Sequence, residues 1–406
     1  MIGWSGRRKA LTVLFFLLPT IIAILIFNVY PLILNVYTSF TDRNKFRPNP
    51  DCASGLNGVL DPLCWPVFRE SAPTGLGRPY TLQNPLFKNY ETLLGTLFTS
   101  EALTALVMVV LTLLPLAAVI IVNRRFDRLA TRPASSGVVW LIGGGIAIAI
   151  GLAVNFLGQV NTLMATGDFV AVVLRTALFV VIRVPLTFGL ALTLALILND
   201  KTLRFNTLFR GLLFLPWGAS SVAILVSLVW QFIFRDQGVI NQLLFNLFAI
   251  KGPVWLNNPI TAFGAIVIAD VYYSFPFFMV AILGGLQAIP ADQYEAAEVD
   301  GANWWQQLTH ITLPLLRPTI LPAAVLTSIT AFQMFGTAFA ITAGGPQTGA
   351  MTPGATEFVM VYAYRQIFQL QNYGVATAFA VLIFIMLFTV TLWSLRATRI
   401  TKGATE

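Results

Sequence analysis

Two ionisable side chains, Arg183 and Asp270, lie inside stretches of sequence that are otherwise apolar. Arg183 falls about seven residues into one run and Asp270 about ten into another, so at the rise of a helix their depths differ by only about 5 Å. An isolated charge in hydrocarbon is costly, and such groups pair, line a wet cavity or reach back to the surface. Three readings follow: an Arg183–Asp270 ion pair, a polar pathway wall or ion relay, and an Arg183 that snorkels outward. A third run carries Thr327, Ser328, Thr330, Gln333 and Thr337. Positions 327, 330, 334 and 337 share one helical face. That face suits either a path for a hydroxylated solute or hydrogen bonds between helices. Catalytic patterns are missing: His310 is the single histidine, and neither HExxH nor GxSxG occurs. An intramembrane enzyme therefore has no residues to carry it, and His310 reads as a surface or docking residue. Cys52 and Cys64 have eleven residues between them. In an oxidising compartment they can close a ring worth about 3 kcal/mol; the alternative is two unpaired thiols. CxxC spacing is absent, so no metal site is expected.

A membrane chain must position these groups. Of 406 residues, 57% are hydrophobic and 10% charged, against about 25% charged in a soluble domain. Mean hydropathy is +0.77. About eight apolar runs can each cross a core of about 30 Å, near 11–37, 102–122, 137–158, 176–198, 211–234, 260–284, 319–343 and 373–395. The expected fold class is an all-α integral membrane protein, a polytopic helical bundle. The first run follows Arg7, Arg8 and Lys9 but has no small-residue cleavage site and is too long for a signal peptide, so it reads as an uncleaved anchor. Lys and Arg crowd alternate short loops: Arg124, Arg125, Arg128 and Arg132; Lys201, Arg204 and Arg210; Arg396, Arg399 and Lys402. By the positive-inside rule both termini are cytoplasmic. The formal net charge of +8 comes largely from these loops and needs no nucleic-acid partner. The organisation expected is an N-terminal tail and first span (1–40), an outer loop (41–101), a two-span hairpin (102–165) and a core (166–400). In the hairpin, the glycines 143–145 would let helices approach closely. No repeat of 20–50 residues is visible.

Residues 285–318 interrupt the apolar pattern on the cytoplasmic side. Pro290 suits a helix start, and Asp292 and Glu295 suit its positive end. Gly301 can adopt a turn closed to bulkier residues. A second helix is expected from about Asn303 to Thr312, with Trp304, Leu308 and Ile311 as an apolar stripe, ended by Pro314 and Pro318. An interfacial helix explains the tryptophans. A protein partner explains the acidic front half as well.

The stretch "EAAEVDGANWWQQLTHITLP" resembles the EAA loop of binding-protein-dependent ABC import permeases, through Glu295, Ala296, Ala297, Asp300, Gly301, Ala302, Ile311, Leu313 and Pro314. The resemblance implies that the loop at 285–314 docks on a separate ATPase. "YPLILNVYTSFTD", "FLPWGASSVAILVSLVWQFIF", "LGGLQAIPADQYEAA" and "TAGGPQTGAMTPGATEFVMVYAYRQIF" are similar to the carbohydrate branch, and specifically to the larger membrane subunit of maltose/maltodextrin importers. The likeness covers roughly 1–45 and 170–400 and implies an ABC type I importer permease fold; residues 99–165 depart from it. Carried over position by position, the family's sugar contacts fall on Trp217, Ser221, Tyr273, Ser274, Phe277, Thr327, Ala331 and Met334. At the last three positions the maltose subunit has a serine and two asparagines, so two amides are lost here.

The function implied is a permease subunit of an ATP-driven importer for a sugar or oligosaccharide, in a bacterial inner membrane. No GxxxxGK[ST] occurs, so no cofactor is expected in this chain, and ATP and Mg would bind partner ATPases. The implied partners are a second permease subunit, two ATP-binding subunits, a periplasmic or lipid-anchored sugar-binding protein, the sugar and membrane lipid. The alternative is an ion-coupled carrier using Arg183 and Asp270.

Overall fold

A computed structural model of the chain describes residues 7–44, 80–95, 99–129, 136–200, 203–218, 223–347 and 352–398. Among them the architecture is helical, with one isolated bridge, Thr41 to Leu82. In lipid every backbone polar group must find its partner within the protein, and the helix achieves this within one segment. Among the described residues six helices are long and apolar enough to cross a membrane, or seven if one bent pair counts as a span. Cys52, Cys64 and Ser221 lie outside the described residues.

The chain divides into two compact units. The first comprises Met1–Phe98 with Ala363–Met386. It opens with α1 (Arg7–Ile24), a π segment Leu25–Val29 and α2 (Tyr30–Thr38). Beyond them α3 (Lys88–Leu94) contributes Asn89, whose buried amide donates to the carbonyls of Ser39 and Thr41 at 2.9 and 2.8 Å. Residues from the two ends of the outer loop are thus tied together.

The second unit comprises Thr99–Tyr362 with Leu387–Glu406. It begins with the hairpin of α4 (Ser100–Leu129) and α5 (Ser136–Ala153), followed by α6 (Phe156–Ala165). The run 137–158 is not one straight span: α5 and α6 meet at 64°. Asn155 causes the break. It takes the left-handed conformation, φ 52°, and its Oδ1 accepts the Gly158 N–H, as asparagine does more readily than most residues. Of the three consecutive glycines only Gly143 is a close-approach site, because a Cβ there would collide with Val119; Gly144 and Gly145 face open space. Gly143→Leu should therefore destabilise the hairpin by about 1–3 kcal/mol, read as a lower thermal midpoint in detergent, while Gly144→Leu should leave the midpoint unchanged.

The rest of this unit runs through α7 (Asp168–Asn199), α8 (Asn206–Gly218), α9 (Ala223–Ile233), α10 (Val239–Phe248) and α11 (Pro259–Gln287). It continues with α12 (Asp292–Val299), α13 (Trp304–Gln307), a π segment Leu308–Thr312, α14 (Leu313–Phe332), α15 (Gly336–Thr342) and α16 (Val359–Tyr364). The last helix, α17 (Tyr373–Thr398), belongs to the first unit as far as Met386 and to the second beyond it. The expected run 211–234 is carried by α8 and α9, each shorter than a full span. The axis of this unit is α11: 61% of its apolar window is buried, against 22% for α7 and 28% for the span ending in α14. Toward one end Phe179, Ile266, Tyr273 and Phe358 cluster around it, and toward the other Leu198, Phe278, Ile282 and Leu316.

Candidate functional site

A cavity of about 420 Å³ lies beside α11. Helical spacing puts Asp270, Tyr273, Ser274 and Phe277 on one face of α11 at i, i+3, i+4 and i+7, and all four line it. Arg183 of α7, Trp217 of α8 and Leu326, Thr327 and Thr330 of α14 complete three sides. The fourth is a helix break. Where the sequence suggested one continuous run over 319–343, α14 stops at Phe332, and Met334, Phe335, Gly336 and Thr337 turn into the wall. The four positions 327, 330, 334 and 337 do share the cavity, but the last two reach it from beyond the break rather than along one helix.

Arg183 Nη1 donates to the Thr327 carbonyl at 3.0 Å, and Thr330 Oγ1 donates to the same oxygen at 3.0 Å. Arg183 Nε lies 2.6 Å from Asp270 Oδ2, with both side chains buried. Arg183 Nη2 donates to Ser274 Oγ, which in turn donates to the Asp270 carbonyl at 2.7 Å. One guanidinium therefore ties α7, α11 and α14 together at the cavity wall. The pair and the polar wall, set apart in the sequence as alternatives, are here the same object; Arg183 does not snorkel. Tyr273 is 4% exposed.

Of the residues proposed as solute contacts, Trp217, Tyr273, Ser274, Phe277, Thr327 and Met334 line the cavity. Ala331 does not: it is packed in the core with Ile266 and Phe358. Leu326, Phe335 and Gly336 were missed, and two of these owe their place to the break. The wall offers aromatic faces, hydroxyls and one internally neutralised ion pair.

The second feature is the exposed bend that follows α11. After α12 the chain turns at Gly301, φ 78°. The Ala302 N–H bonds the Ala297 carbonyl at 2.8 Å and the Gly301 N–H bonds that of Glu298 at 3.0 Å, the glycine-terminated helix ending known as the Schellman motif. Asn303 then opens α13 with a reciprocal capping box: its Oδ1 accepts the Gln306 N–H at 2.9 Å while Gln306 Oε1 accepts its own N–H at 2.8 Å. Tyr294 Oη lies 3.0 Å from Thr312 Oγ1, bracing α12 against the rising chain. Glu295, Ala296, Asp300 and Gly301 are exposed, Ala297 and Ala302 half-buried. Val299 is 89% exposed, and Trp304 and Trp305 are 63% exposed each.

Two expectations for this segment need correction. Leu308 of the apolar stripe is buried and Ile311 half-buried, so only Trp304 of the three stands clear. Pro314 and Pro318 do not end the helix, which continues from Trp304 to Phe332. A proline ring clashes with the carbonyl four residues back and lacks an N–H. The π segment Leu308–Thr312 widens the helix at that point: the Leu313 N–H bonds Leu308, and Thr312 Oγ1 donates to the Gln307 carbonyl at 3.2 Å. The same device, a π segment two residues before a proline, occurs at Leu25–Val29 and Pro31.

The profile of the family described as "Binding-protein-dependent transport system inner membrane component" matches residues 188–398. The trehalose/maltose transport system permease protein MalF of Thermococcus litoralis is 35% identical over 225 residues, 55% of this chain and 72% of that protein. The maltose/maltodextrin transport system permease protein MalF of Yersinia pestis is 33% identical over 261 residues, 63% of this chain and 48% of that one; the chain thus spans about half the length of its bacterial relatives. Among solved structures, a bacterial alginate ABC transporter in complex with an alginate pentasaccharide-bound periplasmic protein is similar in fold, with TM-score 0.51 and 22% identity over 65% of this chain and 91% of that one.

Proposed function

This chain belongs to the family of binding-protein-dependent transport system inner membrane components, and from that membership we propose that it is the permease subunit of an ATP-driven importer for a sugar or oligosaccharide of the maltose type. The observation that carries the proposal is the unbroken helical path from Trp304 to Phe332. It joins an exposed, rigidly bent element to the wall of a solute-sized cavity. From Trp304 to Thr327 the path is about 35 Å long.

In this reading the transporter has two separate ATP-binding subunits, and one of them grips α12 and α13. ATP binding draws the two subunits together and displaces the bend; the path through α14 carries the motion to Thr327 and Thr330. The cavity then opens alternately to a periplasmic or lipid-anchored sugar-binding protein and to the cytoplasm, with a second permease subunit facing this one. ATP and Mg belong to the partners. Trp217, Tyr273 and Phe277 suit the faces of sugar rings, and Ser274, Thr327, Thr330 and Thr337 suit their hydroxyls. The cavity volume falls in the range of small-molecule sites. The Lys and Arg distribution supports cytoplasmic termini, with the bend on the same side. A sugar that binds both states equally cannot drive the cycle, so the energy must come from ATP.

The test is uptake of radiolabelled maltodextrin into vesicles holding the assembled transporter and its binding protein. Uptake should require internal ATP and persist in a protonophore. Uptake that persists without ATP and collapses with the protonophore would instead favour the ion-coupled reading of Arg183 and Asp270.

A further inference from the structure

We infer that α10 is an interfacial anchor, seated in the headgroup layer with the stripe Val239, Leu243 and Leu247 against lipid acyl chains. The inference depends on α11 being a membrane span and not on the identity of the transported solute.

The helix Val239–Phe248 has ten residues, about 15 Å, half of what crossing needs. It lies between α9 and α11, at the end of α11 opposite the exposed bend. Its residues are Val-Ile-Asn-Gln-Leu-Leu-Phe-Asn-Leu-Phe, with no charge. The face turned into the protein carries Ile240, Asn241 and Leu244. To one side, at i, i+4 and i+8, Val239, Leu243 and Leu247 are 42, 51 and 69% exposed. Gln242 and Asn246 occupy the adjoining face and are exposed too. A helix with an apolar stripe beside a polar one, and no room to span, fits the boundary between acyl chains and water.

The helix cannot roll to hide that stripe. Asn241 is buried and spends its whole amide on neighbours: Nδ2 donates to the carbonyls of Asp236 and Pro253 at 2.9 and 3.1 Å, and Oδ1 accepts from Trp255 Nε1 at 2.8 Å. Ala249, in the left-handed conformation, ends the helix sharply. The apolar face is thus held outward at a cost in water that a bilayer would remove.

Charge and the flanking helices select lipid as the occupant. Exposed cations flank the helix at both ends, Arg235 before it and Lys251 after it, placed for phosphate groups. The helices on either side of it in the chain also expose apolar side chains, α9 through Leu225, Leu228, Val229 and Phe232 and α11 through Ile260.

Nitroxide labels on the full chain, co-purified with its associated subunits and placed in phosphatidylethanolamine–phosphatidylglycerol vesicles, test this directly. The background carries Cys52→Ser and Cys64→Ser, with single cysteines at Leu243, Leu247 or Asn246. All three sites are exposed, so a label fits without repacking. Labels at Leu243 and Leu247 should collide several-fold more with oxygen than with a water-soluble nickel chelate, relative to the label at Asn246. Equal accessibility at all three sites would mean a water-exposed helix. Protection of Leu243 and Leu247 from both reagents would mean a protein partner covers the stripe. Either result overturns the inference.

Discussion

Replacing Gly301 by valine should cut ATP-driven uptake about tenfold or more while leaving membrane insertion and folding intact. At φ 78° a β-branched residue costs about 1–2 kcal/mol, and 1.4 kcal/mol is tenfold in an equilibrium. The cost falls on a hinge, not on the core. A Cβ at this position meets nothing within 4 Å, so no packing is lost inside the chain. What changes is the helix ending made by the 302–297 and 301–298 hydrogen bonds, which sets the direction of α13 relative to α12. If those two helices are the handle gripped by an ATPase, misdirecting them disconnects the engine from the cavity. Uptake and ATP hydrolysis should therefore be measured together: hydrolysis without uptake is the expected signature. Unchanged uptake by a correctly inserted Gly301→Val protein would remove the docking role from this bend.

Breaking the buried ion pair should have the largest effect on stability. Asp270→Asn leaves Arg183 charged and surrounded by protein, which typically costs about 3–5 kcal/mol. The loss should appear as a lower thermal midpoint and a shorter half-life in detergent. Removing both charges, as in Arg183→Met with Asp270→Leu, should recover much of that loss, because a pair replaced by apolar groups of similar volume is often tolerated. Recovery should be incomplete: Arg183 also holds the Thr327 carbonyl and Ser274, and a methionine can hold neither. A double variant no more stable than Asp270→Asn would show that pairing is not what the two charges contribute.

Much of this molecule could be read from local composition. Uncharged runs of about 20 residues must become helices in lipid, because the bilayer offers the backbone no other partner, and that argument needs no tertiary information. The segment around Gly301 is equally local. Its acidic start, its glycine and the helical stripe after it describe two helices and a turn, and those are present. The family resemblance pointed to Tyr273, Ser274 and Phe277, and the charge in an apolar run pointed to Asp270; one cavity is lined by all four.

Helix endings were less legible, and they decide the site. Pro314 looked like a stop, yet a π turn and the Thr312 hydroxyl absorb it. The run over 319–343 looked continuous, yet it opens after Phe332, where Met334 to Thr337 are turned into the cavity and Ala331 is left in the core. Asn155 bends a span whose hydropathy shows no interruption. Apolar length and helical period belong to the sequence by itself, because transfer free energy and backbone geometry are summed over neighbours along the chain. Where a helix opens belongs to the folded protein, because side chains far along the sequence must surround the opened turn: Arg183 holds the Thr327 carbonyl just before it, 144 residues away.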